Sequence, residues 1–211
     1  MAHLVWDWNG TLLDDLALVV TATNASLAAV GGPSVTADEH RRHFRRPISS
    51  YYAHVLRRPV TEDEFARLDR TFHDAYRAGL PACGLTRNAL DAIAAWRGTQ
   101  SLLSMWFHHE LVPTVARHGL MRHLDRVDGL HGRVGGGSKA PHLAAHLAAF
   151  GARARDCVLI GDSLDDADAA ASVGARIILY SGGFTDEVRL RATGFPVAST
   201  LTEAVEYARA A

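Results

Sequence analysis

Two acidic side chains, each set at the end of a short apolar run, define the chemistry open to this chain. The first run, His3-Leu4-Val5-Trp6, leads straight into Asp7 and then Trp8-Asn9-Gly10-Thr11. The second, Cys157-Val158-Leu159-Ile160, leads into Gly161-Asp162-Ser163, with Asp165 and Asp166 just behind. A carboxylate at the carboxyl end of a strand suits a nucleophile or a metal ligand, because ligands of α/β sheets collect outside the strand ends. Carboxylates also form covalent intermediates that split one hard displacement into two easier ones. Two strands that both deliver carboxylates point to a hard-cation site, since Mg²⁺ takes oxygen ligands and is commonly shared with phosphate. Asp162 and Asp166 are close enough across a strand-to-helix turn to face one cation, with Asp165 as the alternative to Asp166. The plain reading of Asp7 is a helix cap before Gly10-Thr11-Leu12, and the second acidic strand end weighs against it.

Of 22 basic residues only one, Lys139, is lysine. Arginine carries the same charge, but its planar fork cannot replace a compact ammonium in a small site. Gly135-Gly136-Gly137-Ser138 precedes Lys139, yet the order Ser-Lys-Ala fails the Gly-Lys-Ser/Thr pattern of a phosphate loop. A flexible loop that places Lys139 at a helix start is the expectation. Arg45 and Arg46, beside Pro47, are candidates to grip a substrate carboxylate or second phosphate through bidentate pairs, against the plainer reading of a charged surface turn. Among twelve histidines, His108-His109-Glu110 lacks the second His that a zinc-protease helix needs. His40 and His43 sit on a polar helix among arginines, where exposure is the default. No histidine is assigned to a metal.

These residues must be positioned by strands alternating with helices. Strands are expected at His3 to Trp6, Gln100 to Ser104, Arg126 to Leu130, Asp156 to Ile160, Arg176 to Tyr180 and Phe195 to Ala198. Helices are expected at Thr86 (as cap) to Trp96, Glu110 to His118, Lys139 to Phe150, Asp165 to Val173, Asp186 to Ala192 and Leu201 to Ala210. That rhythm implies βαβ units and a parallel sheet. Residues 14 to 83 differ, with no alternating strand pattern. Leu16 to Val30 is a helix stopped by Gly31-Gly32-Pro33, Thr36 opens a short helix to Phe44, and Ile48 to Leu56 is another. Thr61-Glu62-Asp63-Glu64 is a capping box that opens a helix to about Gly79, and residues 80–84 read as a linker. The fold expected is therefore α/β, a Rossmann-like parallel sheet core (residues 1–13 and 84–211) with an inserted all-helical cap (14–83).

At 211 residues and 48% hydrophobic composition the chain has material for a real core. A net charge of -1 supplies no basic field for nucleic acid. Two cysteines, Cys83 and Cys157, make no disulfide framework. With no export signal and no run of roughly 20 apolar residues for a membrane span, a cytoplasmic protein without membrane or nucleic-acid partners is expected, as monomer or homodimer.

Taken in order, the motifs resemble those of the haloacid dehalogenase-like hydrolase superfamily, in particular its phosphoglycolate phosphatase-like branch with a helical cap. Asp7-Trp8-Asn9-Gly10-Thr11 is similar to its first motif, Asp-x-Asp-Gly-Thr, with Asn9 where the second Asp stands. Ser104, at the end of a strand, fits the second motif, Lys139 the third, and Gly161-Asp162-Ser163-Leu164-Asp165-Asp166 the fourth. The resemblance implies Mg²⁺-dependent hydrolysis of a small phosphorylated metabolite. It implies Asp7 as nucleophile, Mg²⁺ on Asp7, Asp162, Asp166 and the Asn9 backbone carbonyl, and Ser104 and Lys139 on the transferring oxygens. The family's second Asp passes a proton to the leaving oxygen, which Asn9 cannot do. Losing such a group removes about 10²–10⁴-fold in rate, so a weakly active or non-catalytic phosphate-binding protein is the alternative. A dehalogenase needs no metal and does not suit the acids of the fourth motif. A phosphonate hydrolase with a cap lysine is excluded, since residues 14 to 83 hold no lysine.

Overall fold

In the computed structural model, which describes residues 2–132 and 137–210, the apolar runs become strands of one parallel sheet. These are β1 (His3–Trp6), β2 (Gln100–Phe107), β3 (Arg126–Leu130), β4 (Cys157–Gly161), β5 (Arg176–Tyr180) and β6 (Val197–Ala198), in the order β3-β2-β1-β4-β5-β6. Continuous apolar runs suit strands covered on both faces, and every residue of β1 and β4 is buried. Trp6 pairs with Leu102 on one side and Ile160 on the other. The chain reverses its direction of travel across the sheet between β1 and β4, where such folds open a crevice at the strand ends.

Four helices follow β1 before the chain returns to the sheet: α1 (Leu16–Ala29), α2 (Ala37–His43), α3 (Ile48–Leu56) and α4 (Glu62–Gly79). Thr36 and Thr61 cap α2 and α4 by accepting the backbone N–H of Glu39 and Glu64, filling donors that a helix start otherwise leaves unmade. Leu27, Val35, Tyr52 and Leu68 form an apolar cluster of their own within this layer. The two connections to the sheet lie side by side. Asp14 N–H donates to the Gly84 carbonyl (3.1 Å) and Thr86 N–H to the Leu12 carbonyl (2.9 Å). The remaining helices are α5 (Ala89–Ala95), α6 (His108–Arg117), α7 (Ala140–Phe150), α8 (Leu164–Val173), α9 (Glu187–Arg191) and α10 (Leu201–Ala210). Among the described residues no helix is long and apolar enough to cross a membrane.

Four local expectations are corrected. Strand β2 runs on to Phe107, so Ser104 lies inside it rather than at its end. Met105-Trp106-Phe107 is good strand material, and the pairing with β3 shifts register between Leu103 and Phe107. Thr86 does not cap α5: Asn88 precedes that helix in the left-handed region (φ 62), while Thr86 N–H is spent on Leu12. His40 is buried, not exposed, because it packs on Phe44 and bonds Tyr51 Oη through Nδ1 (2.9 Å). Lys139 stands at the cap position before α7 rather than within it. Gly135 and Gly136 of the glycine run lie outside the described residues.

Leu68→Ala should test the helical layer's own cluster. Deleting a fully buried Leu commonly costs about 2–5 kcal/mol, so the denaturant midpoint should fall accordingly. An unchanged midpoint would show that the cluster adds nothing to stability.

Candidate active site

The register of β1 against β4 brings the two acidic strand ends together. Asp7 N–H donates to the Ile160 carbonyl (2.9 Å), so Asp7 emerges beside Gly161 and Asp162. Asp7, Asp162 and Asp166, all buried, each offer an oxygen lying within 4.8 Å of the others. Gly10 permits this approach: its φ of +74° is one that glycine adopts freely, and a Cβ there would meet Asp162 Oδ2 at 2.5 Å. Asp162 is held by Thr11 Oγ1, which donates to Oδ1 (3.0 Å), and by Phe184 N–H, which donates to Oδ2 (2.5 Å).

Asp166 has two jobs. It completes the capping box of α8, where its Oδ2 accepts from Ser163 N–H (3.1 Å) and its own N–H donates to Ser163 Oγ (3.2 Å). Its Oδ1 accepts from the Lys139 ammonium. The same ammonium donates to Asp7 Oδ1 at 2.5 Å, and the Lys139 side chain is only 2% exposed. Asp165 turns elsewhere, accepting Lys139 backbone N–H (3.0 Å) and facing Arg46 Nε at 3.4 Å. Of the two adjacent acids, Asp166 is thus the one in the cluster.

One ammonium among three buried carboxylates leaves excess negative charge. Burial pushes Asp7 up to about 6 against the pull of Lys139. Burial, with Asp7 and Asp166 adding repulsion, raises Asp162 well above its ordinary value. Burial alone would lower the Lys139 ammonium, but Asp166 and Asp7 outweigh it and hold Lys139 above its usual range. The donor set is all oxygen, clustered and electron-rich, which fits a hard divalent cation such as Mg²⁺.

Asn9 sits in a network that the sequence did not reveal. Its Nδ2 donates to Asp15 Oδ2 and to Tyr76 Oη, each at 2.8 Å. Tyr76 Oη donates to the same Asp15 oxygen (2.6 Å), and Gly10 N–H donates to Asp15 Oδ1 (2.8 Å). Asp15 is fully buried, which pushes it up to about 6 against these hydrogen bonds. Ser104 Oγ donates to Asn9 Oδ1 (3.2 Å) and accepts from Trp106 N–H (3.0 Å). Arg46 lines the cavity beside the acids, whereas Arg45 is exposed, donates to the His43 carbonyl (2.9 Å) and does not reach the cluster. Asp15 adjoins the first motif, which was a weak signal; Tyr76 and Trp106, far along the chain, gave none.

Lys139→Met should lower stability by about 3–5 kcal/mol at pH 8, the usual result of removing one partner of a buried pair. The loss should be smaller at pH 5, where the freed carboxylates take up protons in place of the ammonium. Denaturant unfolding at both pH values checks this, and an equal loss at the two would refute the charge argument.

The chain is similar to known proteins over most of its length. Residues 136–204 match the family model described as HAD-hydrolase-like. Over 192 residues, covering 87% of this chain and 84% of the relative, the sequence is 26% identical to a phosphoglycolate phosphatase of Mesorhizobium japonicum. A haloacid dehalogenase-like family hydrolase from Streptococcus pneumoniae superposes with a TM-score of 0.82 at 18% identity, covering 98% of each chain. A predicted phosphatase from Clostridium acetobutylicum gives 0.85 at 15% identity over 100% of this chain and 99% of its own. At such identities the solved structures speak for the fold. Joined to motifs that converge on one corner of the sheet, the family match and the relative make this chain similar to haloacid dehalogenase-like hydrolases.

Proposed function

We propose that the protein hydrolyses a small phosphate monoester, with Asp7 as nucleophile and Mg²⁺ as the required cation. The observation that carries this reading is the buried meeting of Asp7, Asp162 and Asp166 with the chain's one lysine. The reaction class agrees with the name of the Mesorhizobium relative, a phosphoglycolate phosphatase. Residues 14–83 act as a cap over a core formed by 1–13 and 84–211, hinged at the paired connections.

In this reading Lys139 holds Asp7 through Oδ1, which leaves Oδ2 to attack phosphorus. The ammonium then offsets negative charge as it builds on the phosphoryl oxygens, the usual electrostatic part of phosphoryl transfer. Asp7, Asp162, Asp166 and the Asn9 backbone carbonyl would hold Mg²⁺, which supplies charge to offset the repulsion between carboxylate and phosphate. Ser104 orients Asn9, and Arg46 offers a second cation to the substrate. Water cleaves the aspartyl phosphate, releasing inorganic phosphate and restoring Asp7. Asn9 does not favour a binding-only protein, because the nucleophile, the ammonium and the acids are all assembled around it.

Turnover of acetyl phosphate should require Mg²⁺ and vanish in Asp7→Asn. Turnover that persists in the variant would reject Asp7 as nucleophile. The raised carboxylates add a pH signature. Below pH 6 Asp7 binds a proton that a cation must displace, so Mg²⁺ affinity should rise as pH increases through about 6. The Mg²⁺-induced increase in Tm should therefore be larger at pH 7.5 than at pH 5.

Asn9→Asp alone would set two carboxylates against each other at the Asp15 contact, at a cost in stability. Exchanging both, as Asn9→Asp with Asp15→Asn, keeps one carboxylate and one amide in hydrogen-bond reach. The exchanged protein should keep its Tm better than the single variant and hydrolyse alkyl phosphates about 10²-fold faster than the natural protein, the usual share of a positioned acid. Equal alkyl turnover would show that solvent already supplies the proton.

A further inference from the structure

The reactive corner opens on a cavity of about 40 Å³ lined by Asp7, Lys139, Asp162 and Asp166. A second cavity of about 110 Å³ adjoins it, and the two share Asn9, Phe44, Arg46, Met105 and Phe184. A phosphoryl group held at Asp7 must pass its ester substituent across this neck. Resting on the phosphatase reading above, we infer that the substituent is a single aromatic ring bearing a hydrogen-bond acceptor, so that the substrate is an aryl phosphate.

The walls of the larger cavity carry the first part of the argument. Phe44, Tyr51, Phe72, Tyr76, Trp106 and Phe184 surround it, drawn from the end cap of α2, from α3, α4 and β2, and from the segment after β5. Their rings already pack on one another: Phe44 lies edge-on to Phe184 at 5.7 Å, Tyr76 is stacked with Phe72 at 5.7 Å, and Trp106 is 4.7 Å from Tyr76. The cavity is smaller than the roughly 150 Å³ that admits benzene but continues into the neck, so it can take one ring at most. Aromatic walls gain from a further ring by offset or edge-on contact.

Three buried polar atoms of the same lining have no hydrogen-bond partner among the described residues: His40 Nε2, His73 Nδ1 and Trp106 Nε1. An indole N–H can only donate, and leaving it unmade is costly. The nitrogen is closed off from the cavity as the side chains stand, and a small turn of the indole would let a carbonyl, nitro or ring-nitrogen acceptor on the ligand answer it. The cavity therefore asks for a ring with a polar edge.

The neck carries the second part. Among its shared residues none is an acid: Asn9 carries an amide, Arg46 a guanidinium, and the others are apolar. The two hydroxyls bonded to Asn9 are already committed: Tyr76 Oη spends its proton on Asp15 and Ser104 Oγ donates to Asn9 Oδ1. No acid of the neck therefore assists the leaving oxygen. As the Asp7 oxygen–phosphorus bond forms, the phosphorus–oxygen bond to the ring breaks and its electron pair stays on that oxygen, which takes a proton from water after release. Phenols ionise near about 10, against about 15.7 for water, so an aryl oxide can leave in this way where an alkoxide cannot. The cavity and the missing acid are separate observations, and they select the same class.

Binding and turnover test this together. By calorimetry, benzylphosphonate, which mimics phenyl phosphate but cannot be cleaved like it, should bind at least about tenfold tighter than propylphosphonate, about 1.4 kcal/mol. With Mg²⁺, kcat/KM should rank 4-acetylphenyl phosphate above phenyl phosphate, and phenyl phosphate above ethyl phosphate by about 10²–10⁴-fold. Trp106→Phe should erase the advantage of the acetyl group over the bare ring. Hydrolysis of acetyl phosphate, which needs no ring cavity, reports on the underlying phosphatase reading. If acetyl phosphate is hydrolysed but benzylphosphonate binds no better than propylphosphonate, the aromatic assignment is overturned and the phosphatase reading stands. If no ester or acyl phosphate is turned over, both are overturned.

Discussion

The site depends on one ammonium placed between two carboxylates. Lys139 is contributed by the start of α7, Asp7 by the end of β1 and Asp166 by the first turn of α8, so a single charge ties three separate elements. Burying a lysine is expensive unless it is paired, and burying carboxylates is equally so. Each makes the other tolerable here. The balance is incomplete, since Asp162 adds a third acid, and the resulting all-oxygen set fits a divalent cation.

Much of that corner was legible because its parts are local. Asp7 and Asp162 follow apolar runs that read as buried strands, and Asp166 stands four residues after Asp162, close enough to share its site. The uniqueness of Lys139 needed no structure to notice. Ser104 was misjudged at the level of strand length, because nothing in Met105-Trp106-Phe107 signals whether pairing continues. His40 was misjudged because a polar helix gave no hint of the aromatic ring set that would cover one of its faces. Contacts between distant residues were beyond the sequence altogether: Tyr76 meets Asn9 only once α4 has packed along α1.

That last contact joins the helical layer to the reacting corner. Tyr76 belongs to α4, yet its hydroxyl bonds both Asn9 and Asp15, close after β1 and Asp7. Arg46 makes a similar reach from the turn before α3 to Asp165. The two contacts flank the neck between the cavities, so the placement of the helices and the shape of the neck are set by the same bonds. Buried polar networks of this kind fix a unique arrangement only when all members are satisfied, and Asn9 satisfies this one with an amide that can both donate and accept.

The central strand pairs only with segments far along the chain. His3 lies against Cys157 and Leu4 against Gln100, so neither side of β1 can be closed by neighbouring residues. Bringing such distant segments together is entropically slow even when the product is stable. The position of Asp7 beside Asp162 therefore requires β1 to have paired with β4, however much local helix the chain already contains. Recovery of the site after dilution from denaturant would mark the last long-range closure of the sheet, and the appearance of activity would serve as a clock for the completion of folding.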